Sequence, residues 1–267
     1  MGGVGLAPIA RCATTAVMLN TILTGEPSDR PPLLIVHGLF GSARNWGVIA
    51  RRLGTDRQVI SVDMRNHGDS HWTESHDYFG MAEDLAEVLE VHGPADVLGH
   101  SMGGKASMVL ALTRPDLVRR LVAADIAPVA YGHDQIDNIR KMKQVDLEAI
   151  ASRSEAAEMM GEDLEAATAA FFLQSLDLQE KRWKLNLDVL ERDMETILGF
   201  PEVEGRFDGR ALFLSGANSS YVEERHHDAI RALFPTPSFE VIEGAGHWLH
   251  AEKPREVEAA VRGFLED

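Results

Sequence analysis

The residues best suited to chemistry in this 267-residue chain lie in Gly99-His100-Ser101-Met102-Gly103, a match to G-x-S-x-G. In that pattern a serine occupies a sharp strand-to-helix turn that leaves its hydroxyl exposed. The following helix N-terminus then favours negative charge on an attacked oxygen. Both flanking elements are readable here. ADVLGH over 95–100 has the character of a buried strand, and the apolar-periodic stretch over 102–113 reads as a helix that stops before Pro115. Glycines at 99, 103 and 104 let strand and helix approach without Cβ clashes. The competing reading is a glycine-rich turn with an incidental serine.

A serine hydroxyl is a poor nucleophile at neutral pH and needs a base held in place by a third group. Eleven histidines compete for that role. His247, in GAGHW, falls between the last predicted strand and the terminal helix, on the same carboxyl edge of the sheet as Ser101. His100 adjoins the serine but is expected to point to the opposite side of the strand-end pleat, and His226 and His227 fall in a predicted surface helix. The pairs His67/His71 and His247/His250 lack a matching carboxylate pattern, so no metal is expected.

These groups must be held by a scaffold, and short apolar runs alternate with helical patterns through most of the chain. Strands are predicted over 33–37, 58–63, 95–100, 120–126, 211–215 and 238–242, with helices over 45–53, 79–91, 102–113 and 254–265. Pro254 opens the last helix at a first-turn position, where its missing N–H costs nothing. Strand–helix alternation implies an α/β fold whose mostly parallel sheet is covered on both faces. Residues 130–207 break the rhythm, being rich in helix formers with no convincing strand, and read as a helical insertion between two strands of one sheet. The expected division is an N-terminal extension over 1–17, a core over 18–129 and 208–267, and a helical cap over 130–207.

A net charge of −16, with 42 acidic against 26 basic residues and no basic stripe, argues against nucleic-acid and anionic-membrane partners. Hydrophobic residues make up 45% of the chain, enough for a substantial core. Cys12 is the sole cysteine, which excludes an internal disulfide and a thiolate metal cluster. No apolar run approaches the ~20 residues of a membrane helix. The N-terminus lacks a basic leader with a continuous apolar segment, and Met1-Gly2 lacks the downstream Ser or Thr of a myristoylation signal. A cytoplasmic protein is expected; oligomeric state carries no signal.

Taken together, HG after an early strand, G-x-S-x-G, and GxGH before the last helix resemble the α/β-hydrolase fold. Several blocks are similar, more narrowly, to the bacterial YbfF-type esterases: VHGLFGS (36–42), VDMRNHGDS (62–70), GHSMGGKA (99–106), DIAPV (125–129), GANSSYV (216–222) and GAGHWLHAEKP (244–254). The resemblance runs from about Met18 onward; residues 1–17 are an extension or a consequence of the assigned start. In most relatives of this fold the acid is an Asp at the fourth position of a G-x-x-D turn after the penultimate strand. Here that position is Ser219. The YbfF resemblance implies that Asp125, just after the strand that follows the elbow helix, takes over, with Ser219 as a hydrogen-bonding fourth member. Two other readings stand beside it: Asp125 as a turn or capping carboxylate before Pro128, and Glu223 or Glu224 as the acid.

By the same resemblance, the backbone N–H groups of Met102 and Leu39 would form the oxyanion hole, with Phe40 as the alternative to Leu39 and His37 holding the loop by hydrogen bonds. The cap would lie over the sheet edge. Its Phe171, Phe172, Leu173, Leu176 and Trp183 would either line an acyl pocket or only fix the cap to the body. Trp46 and Trp248 are candidate pocket walls. Arg65 would contact a polar portion of substrate or pair with a carboxylate. The implied protein is a cofactor-free serine carboxylesterase acting on small acyl esters or thioesters. A carbon–carbon bond hydrolase or acyltransferase of the same fold, and a slow-turnover ligand-binding receptor, are the alternatives.

Overall fold

A computed structural model describes residues 18–132 and 135–266. The extension expected over 1–17, and Cys12 with it, lies outside the described residues, as do two positions of the insertion.

Strands that are apolar on both faces require cover on both sides. The chain meets this with a seven-stranded sheet in the order β1-β3-β2-β4-β5-β8-β9, mostly parallel, as expected for an α/β-hydrolase arrangement. Its members are β1 (Thr21–Thr24), β2 (Leu33–Val36), β3 (Val59–Val62), β4 (Ala95–His100), β5 (Val118–Ala124), β8 (Arg210–Gly216) and β9 (Pro237–Ile242); β6 (Leu176–Asp177) and β7 (Arg182–Trp183) form a separate hairpin. Only β1 runs antiparallel to its sheet neighbour, β3.

Strand alternation distributes the core between the two faces. Leu34, Val36, Ile60, Val62, Val97 and Leu121 pack with Leu85 and Leu89 of α2 (Tyr78–His92) and Val109 of α3 (Met102–Thr113). Leu33, Ile35, Val59, Leu98 and Val122 pack on the other face with Ile49 and Leu53 of α1 (Gly47–Leu53) and Val257 and Val261 of α11 (Pro254–Glu266). Each such buried aliphatic side chain contributes about 1.5–3 kcal/mol relative to exposure. Asp77 caps α2 by accepting the Gly80 amide.

Between β5 and β8 lie α4 (Ile136–Lys143), α5 (Arg153–Met160), α6 (Ala166–Phe172), α7 (Leu187–Arg192) and α8 (Met194–Leu198), together with the β6–β7 hairpin. Their buried Phe172, Leu190, Met194 and Ile197 join the cluster that contains α2 and α3. The hairpin corrects the expectation of a strand-free insertion. Asp177 accepts the amides of Gln179 and Glu180, and Lys181 takes a left-handed φ of 50°, which closes a turn between strands too short to show a period.

Two further differences have simple causes. Strand β1 escaped prediction because it is an edge strand whose four residues are half or fully exposed. Strand β5 ends earlier than expected because the chain turns at Asp125, φ 52°, after a last bond from its amide to Leu214 O of β8 at 2.7 Å. After β8, α9 (His227–Leu233) is the predicted surface helix, but His226 just before it is buried beside the Tyr131 ring. A short α10 (Leu249–Glu252) precedes α11.

Candidate active site

Strand β4 hands over directly to α3 through Ser101, whose φ of 53° and ψ of −121° are the strained geometry expected of a nucleophile elbow. The turn is tight enough that a Cβ on Gly99 would overlap the Gly103 carbonyl, and one on Gly103 would overlap the carbonyl oxygen of His37. The Ser101 amide donates to Ala124 O at 3.1 Å, tying the elbow to β5.

His247 follows β9 on a loop fastened at both ends. Asn218 N donates to Ala245 O at 2.8 Å, and Gly246 N donates to Glu252 Oε2 at 2.8 Å. His100 supplies a third anchor, its Nε2–H donating to His247 O at 2.8 Å. Its ring therefore turns toward the His247 loop, which corrects the expectation that it points to the opposite side of the pleat. Held in this way, His247 Nε2 stands 3.0 Å from Ser101 Oγ, and its Nδ1 stands 2.7 Å from Asp125 Oδ2. A Nδ1–H donated to the carboxylate leaves Nε2 free to accept the serine proton. Tyr221 stacks on the imidazole with ring centroids 4.0 Å apart and planes 17° from parallel.

Asp125 is fully buried. Its Oδ1 accepts the Gly216 amide at 3.1 Å, and its Oδ2 accepts both His247 and the Ser219 hydroxyl, the latter at 2.5 Å. Ser219 is brought there by a tight turn in which its amide donates to Gly216 O at 3.0 Å. Glu223 instead caps the turn over 224–226 and pairs with Arg225 at 2.5 Å.

A serine, an imidazole and a buried carboxylate linked in that order, at the carboxyl ends of a parallel sheet, can move a proton off the hydroxyl as it attacks. The α/β-hydrolase fold family model matches residues 31–254. The chain belongs to the α/β-hydrolase fold family. It is a hydrolase, and its similarity to known members is broad. It is 42% identical over 245 residues to the esterase YbfF of Escherichia coli (strain K12), covering 90% of this chain and 94% of that protein. It is 40% identical over 257 residues to the sn-1-specific diacylglycerol lipase ABHD11 of Mus musculus, covering 91% and 83%. Among solved structures, a marine microorganism esterase superposes with a TM-score of 0.88 at 33% identity, covering 93% of this chain and 100% of that one.

In this α/β-hydrolase a cavity of about 300 Å³ opens onto Ser101 and His247. Its walls come from both body and insertion, with Leu39, Trp46, Tyr78 and Trp248 from the body and Tyr131, Thr168, Phe171, Phe172, Ile197 and Leu198 from the insertion. Of the insertion residues expected to line it, only Phe171 and Phe172 do so. Leu173 and Leu176 are buried in the core cluster, and Trp183 is buried with its indole N–H donated to Met142 O at 3.0 Å. Trp46 is buried and stacked on His250 at 4.2 Å, reaching the cavity from beneath. Trp248 is half-buried against Phe171, with centroids 5.6 Å apart. Arg65 does not reach the cavity. Its guanidinium grips Asp84 of α2 at 2.5 and 2.8 Å and donates to Gly80 O at 2.7 Å, so the carboxylate-pairing reading holds and the substrate-contact reading is corrected.

The loop carrying Leu39 is set by buried neutral histidines. His37 Nδ1–H donates to Gly38 O at 2.8 Å while its Nε2 accepts the Met64 amide at 2.9 Å, the bracing role expected of it. His67 Nδ1–H donates to Arg65 O at 2.9 Å, and its Nε2 accepts the Phe40 amide at 3.2 Å. Phe40 is thereby removed as an oxyanion donor. The amides of Leu39 and Met102 carry no hydrogen bond among the described residues. His76 donates from Nε2 to Met102 Sδ at 3.2 Å, and burial lowers it to about 3.

Lys105, on α3 behind the serine, was not anticipated as a site residue. It is buried and lines the cavity, and burial lowers its ammonium to about 7. Neither it nor Tyr131 and Tyr221 belongs to a catalytic pattern; only their presence in or beside the blocks GHSMGGKA, DIAPV and GANSSYV marked their neighbourhood. Among the described residues no three His, Cys, Asp or Glu side chains gather as a metal site would require, and no helix is long and apolar enough to cross a membrane.

Proposed function

We propose that this chain is a serine carboxylesterase that hydrolyses esters of small acyl groups through an acyl-enzyme on Ser101. The observation that carries the reading is the unbroken relay Ser101 Oγ, His247 Nε2, His247 Nδ1, Asp125 Oδ2, at 3.0 and 2.7 Å, opening into a cavity. As Ser101 Oγ attacks the ester carbonyl, His247 takes its proton and becomes an imidazolium held by the Asp125 carboxylate. The carbonyl oxygen gains negative charge beside the amides of Leu39 and Met102, donors that need no reorganisation in the transition state. Collapse of the tetrahedral intermediate breaks the bond to the alkoxy oxygen, which leaves as the alcohol with the proton from His247. Water then attacks the acyl-Ser101 ester, giving its proton to His247, and the carboxylic acid departs with the serine restored.

The apolar walls formed by Phe171, Phe172, Ile197 and Leu198 suit an aliphatic acyl chain. Glycerides join the ester candidates through the likeness to a diacylglycerol lipase. Acyl thioesters undergo the same chemistry, but the charge of −16 disfavours an anionic carrier such as coenzyme A.

A chromogenic ester series of increasing acyl length tests the reading, together with mass-spectrometric mapping of a fluorophosphonate adduct. Multiple turnover of short esters, lost in Ser101→Ala, with the adduct on Ser101, is expected. Stoichiometric ligand binding without turnover would replace the esterase with a receptor.

A further inference from the structure

Lys105 has no part in the proton relay, yet it sits one turn into α3 against the same cavity. It is 1% exposed, and among the described residues no carboxylate offsets its burial. Its Nζ donates to the main-chain carbonyls of Leu198 at 2.7 Å and Gly199 at 2.5 Å. It also lies 4.8 Å from the centre of the Tyr131 ring and 5.8 Å from that of Tyr78. The two carbonyls belong to the end of α8, where the insertion begins its return to the sheet and where the last helical carbonyls have no partner within the helix. Two neighbouring groups bind the same stretch, one from the body and one from the start of the insertion: Tyr78 OH donates to Ile197 O at 2.5 Å, and Tyr131 N donates to Leu198 O at 3.1 Å. Ile197 and Leu198 are themselves cavity walls.

A methionine would fill the space of Lys105 without the cost of burying a cation. What the lysine adds is a pair of directed bonds from the helix that carries the nucleophile to the backbone that carries one wall of the cavity. We propose that Lys105 is a positioning residue for acyl selectivity, clamping Leu198 and Gly199 so that Ile197 and Leu198 form a fixed stop at the far end of the acyl chain. This rests on the esterase reading above. With the clamp in place, an acyl group longer than the cavity must displace a wall that is bonded to α3. With the clamp removed, that wall moves back and longer chains enter.

The test is the acyl-length profile of kcat/KM on p-nitrophenyl esters from acetate to decanoate, measured on the wild type, Lys105→Met and Leu198→Ala. The wild type is expected to favour short chains. Both variants are expected to raise the octanoate-to-acetate ratio about tenfold or more, the selectivity available from a few methylenes in an apolar pocket. The gain should appear as a lower KM for the long esters, and amides over 196–200 should exchange hydrogen faster in Lys105→Met. A wild-type ratio in folded Lys105→Met overturns the proposal. Should that variant not fold, a Leu198→Ala ratio within twofold of wild type overturns it, because the wall would then set no limit. Failure of the wild type to turn over any ester or to label at Ser101 is a separate result: it removes the esterase reading, and the clamp's selectivity role with it.

Discussion

The Ser219 hydroxyl donates to Asp125 Oδ2 at 2.5 Å, the same oxygen that receives His247 Nδ1 at 2.7 Å. The position where most of this fold's members are expected to carry the acid thus holds a serine bonded to a carboxylate at another strand end, the acid of the proposed triad. With Gly216 N on Oδ1 at 3.1 Å, the buried carboxylate has donors on both oxygens. Asp125→Asn should therefore lower kcat on a short chromogenic ester by about 10³–10⁴, because an amide cannot hold the required imidazole tautomer. Equal losses in Glu223→Gln or Glu224→Gln, with Asp125→Asn active, would transfer the role to those residues.

Proximity makes the acid movable. Ser219 Oγ and His247 Nδ1 share one acceptor atom, so a carboxylate at position 219 lies within reach of the imidazole. The double variant Asp125→Asn/Ser219→Asp should recover at least about tenfold of the kcat lost in Asp125→Asn, within the range the orienting acid controls. Ser219→Ala alone removes one bond to a buried charge, worth about 1.5–3 kcal/mol, and should lower the thermal midpoint as well as kcat. A double variant no faster than the single one would show that the turn over 216–219 cannot aim an acid at His247.

Local pattern explains why the elbow was legible and its supports were not. Ser101 announces itself because a tight turn imposes glycines two residues to either side, and those constraints are written within one pentapeptide. His247 was readable because one strand and one helix bracket it. By contrast, Lys105 meets its acceptors 93 and 94 residues away, and His67 meets Phe40 across 27. Such bonds impose no spacing on the chain and exist only after the insertion has folded back. Arg65 shows the opposite limit: a guanidinium after a strand end fits substrate or carboxylate equally well in one dimension, and only the packing of α2 brings Asp84 to it. The β6–β7 hairpin is held by turn chemistry and a tertiary seat, with two residues per strand, below the length at which alternation is measurable.

Buried histidines make the fold acid-sensitive. Burial lowers His76 and His250 to about 3 from an ordinary 6.5, and it lowers His37, His67 and His100 in the same direction. Between about pH 6.5 and 3 the unfolded chain therefore binds more protons than the folded one. The stability these groups provide is complete above about pH 6.5 and is lost as the pH falls through that window, at up to about 1.4 kcal/mol per pH unit for each histidine. Urea midpoints should fall clearly from pH 7.5 to pH 5.5, and His76→Gln should flatten the decline. A midpoint that stays constant over this interval would contradict the neutral, buried state of the cluster.

His67 ties up one amide of the loop after β2. By accepting the Phe40 amide at Nε2 and donating from Nδ1 to Arg65 O, it occupies one neighbouring N–H and leaves that of Leu39 as the proposed oxyanion donor. His67→Phe keeps a ring of similar shape but strands the Phe40 N–H in a buried site, a penalty of about 1–3 kcal/mol that the loop can relieve only by moving. The expected result is a fall in kcat of about 10- to 100-fold, below the roughly 10²–10³ that follows complete loss of an oxyanion donor. KM for the ground-state ester should change far less. Affinity for a trifluoromethyl ketone, which forms the tetrahedral oxyanion, should fall in parallel with kcat. His67→Gln offers an acceptor again and should restore part of both; a fully active His67→Phe would mean that the loop holds Leu39 without the imidazole.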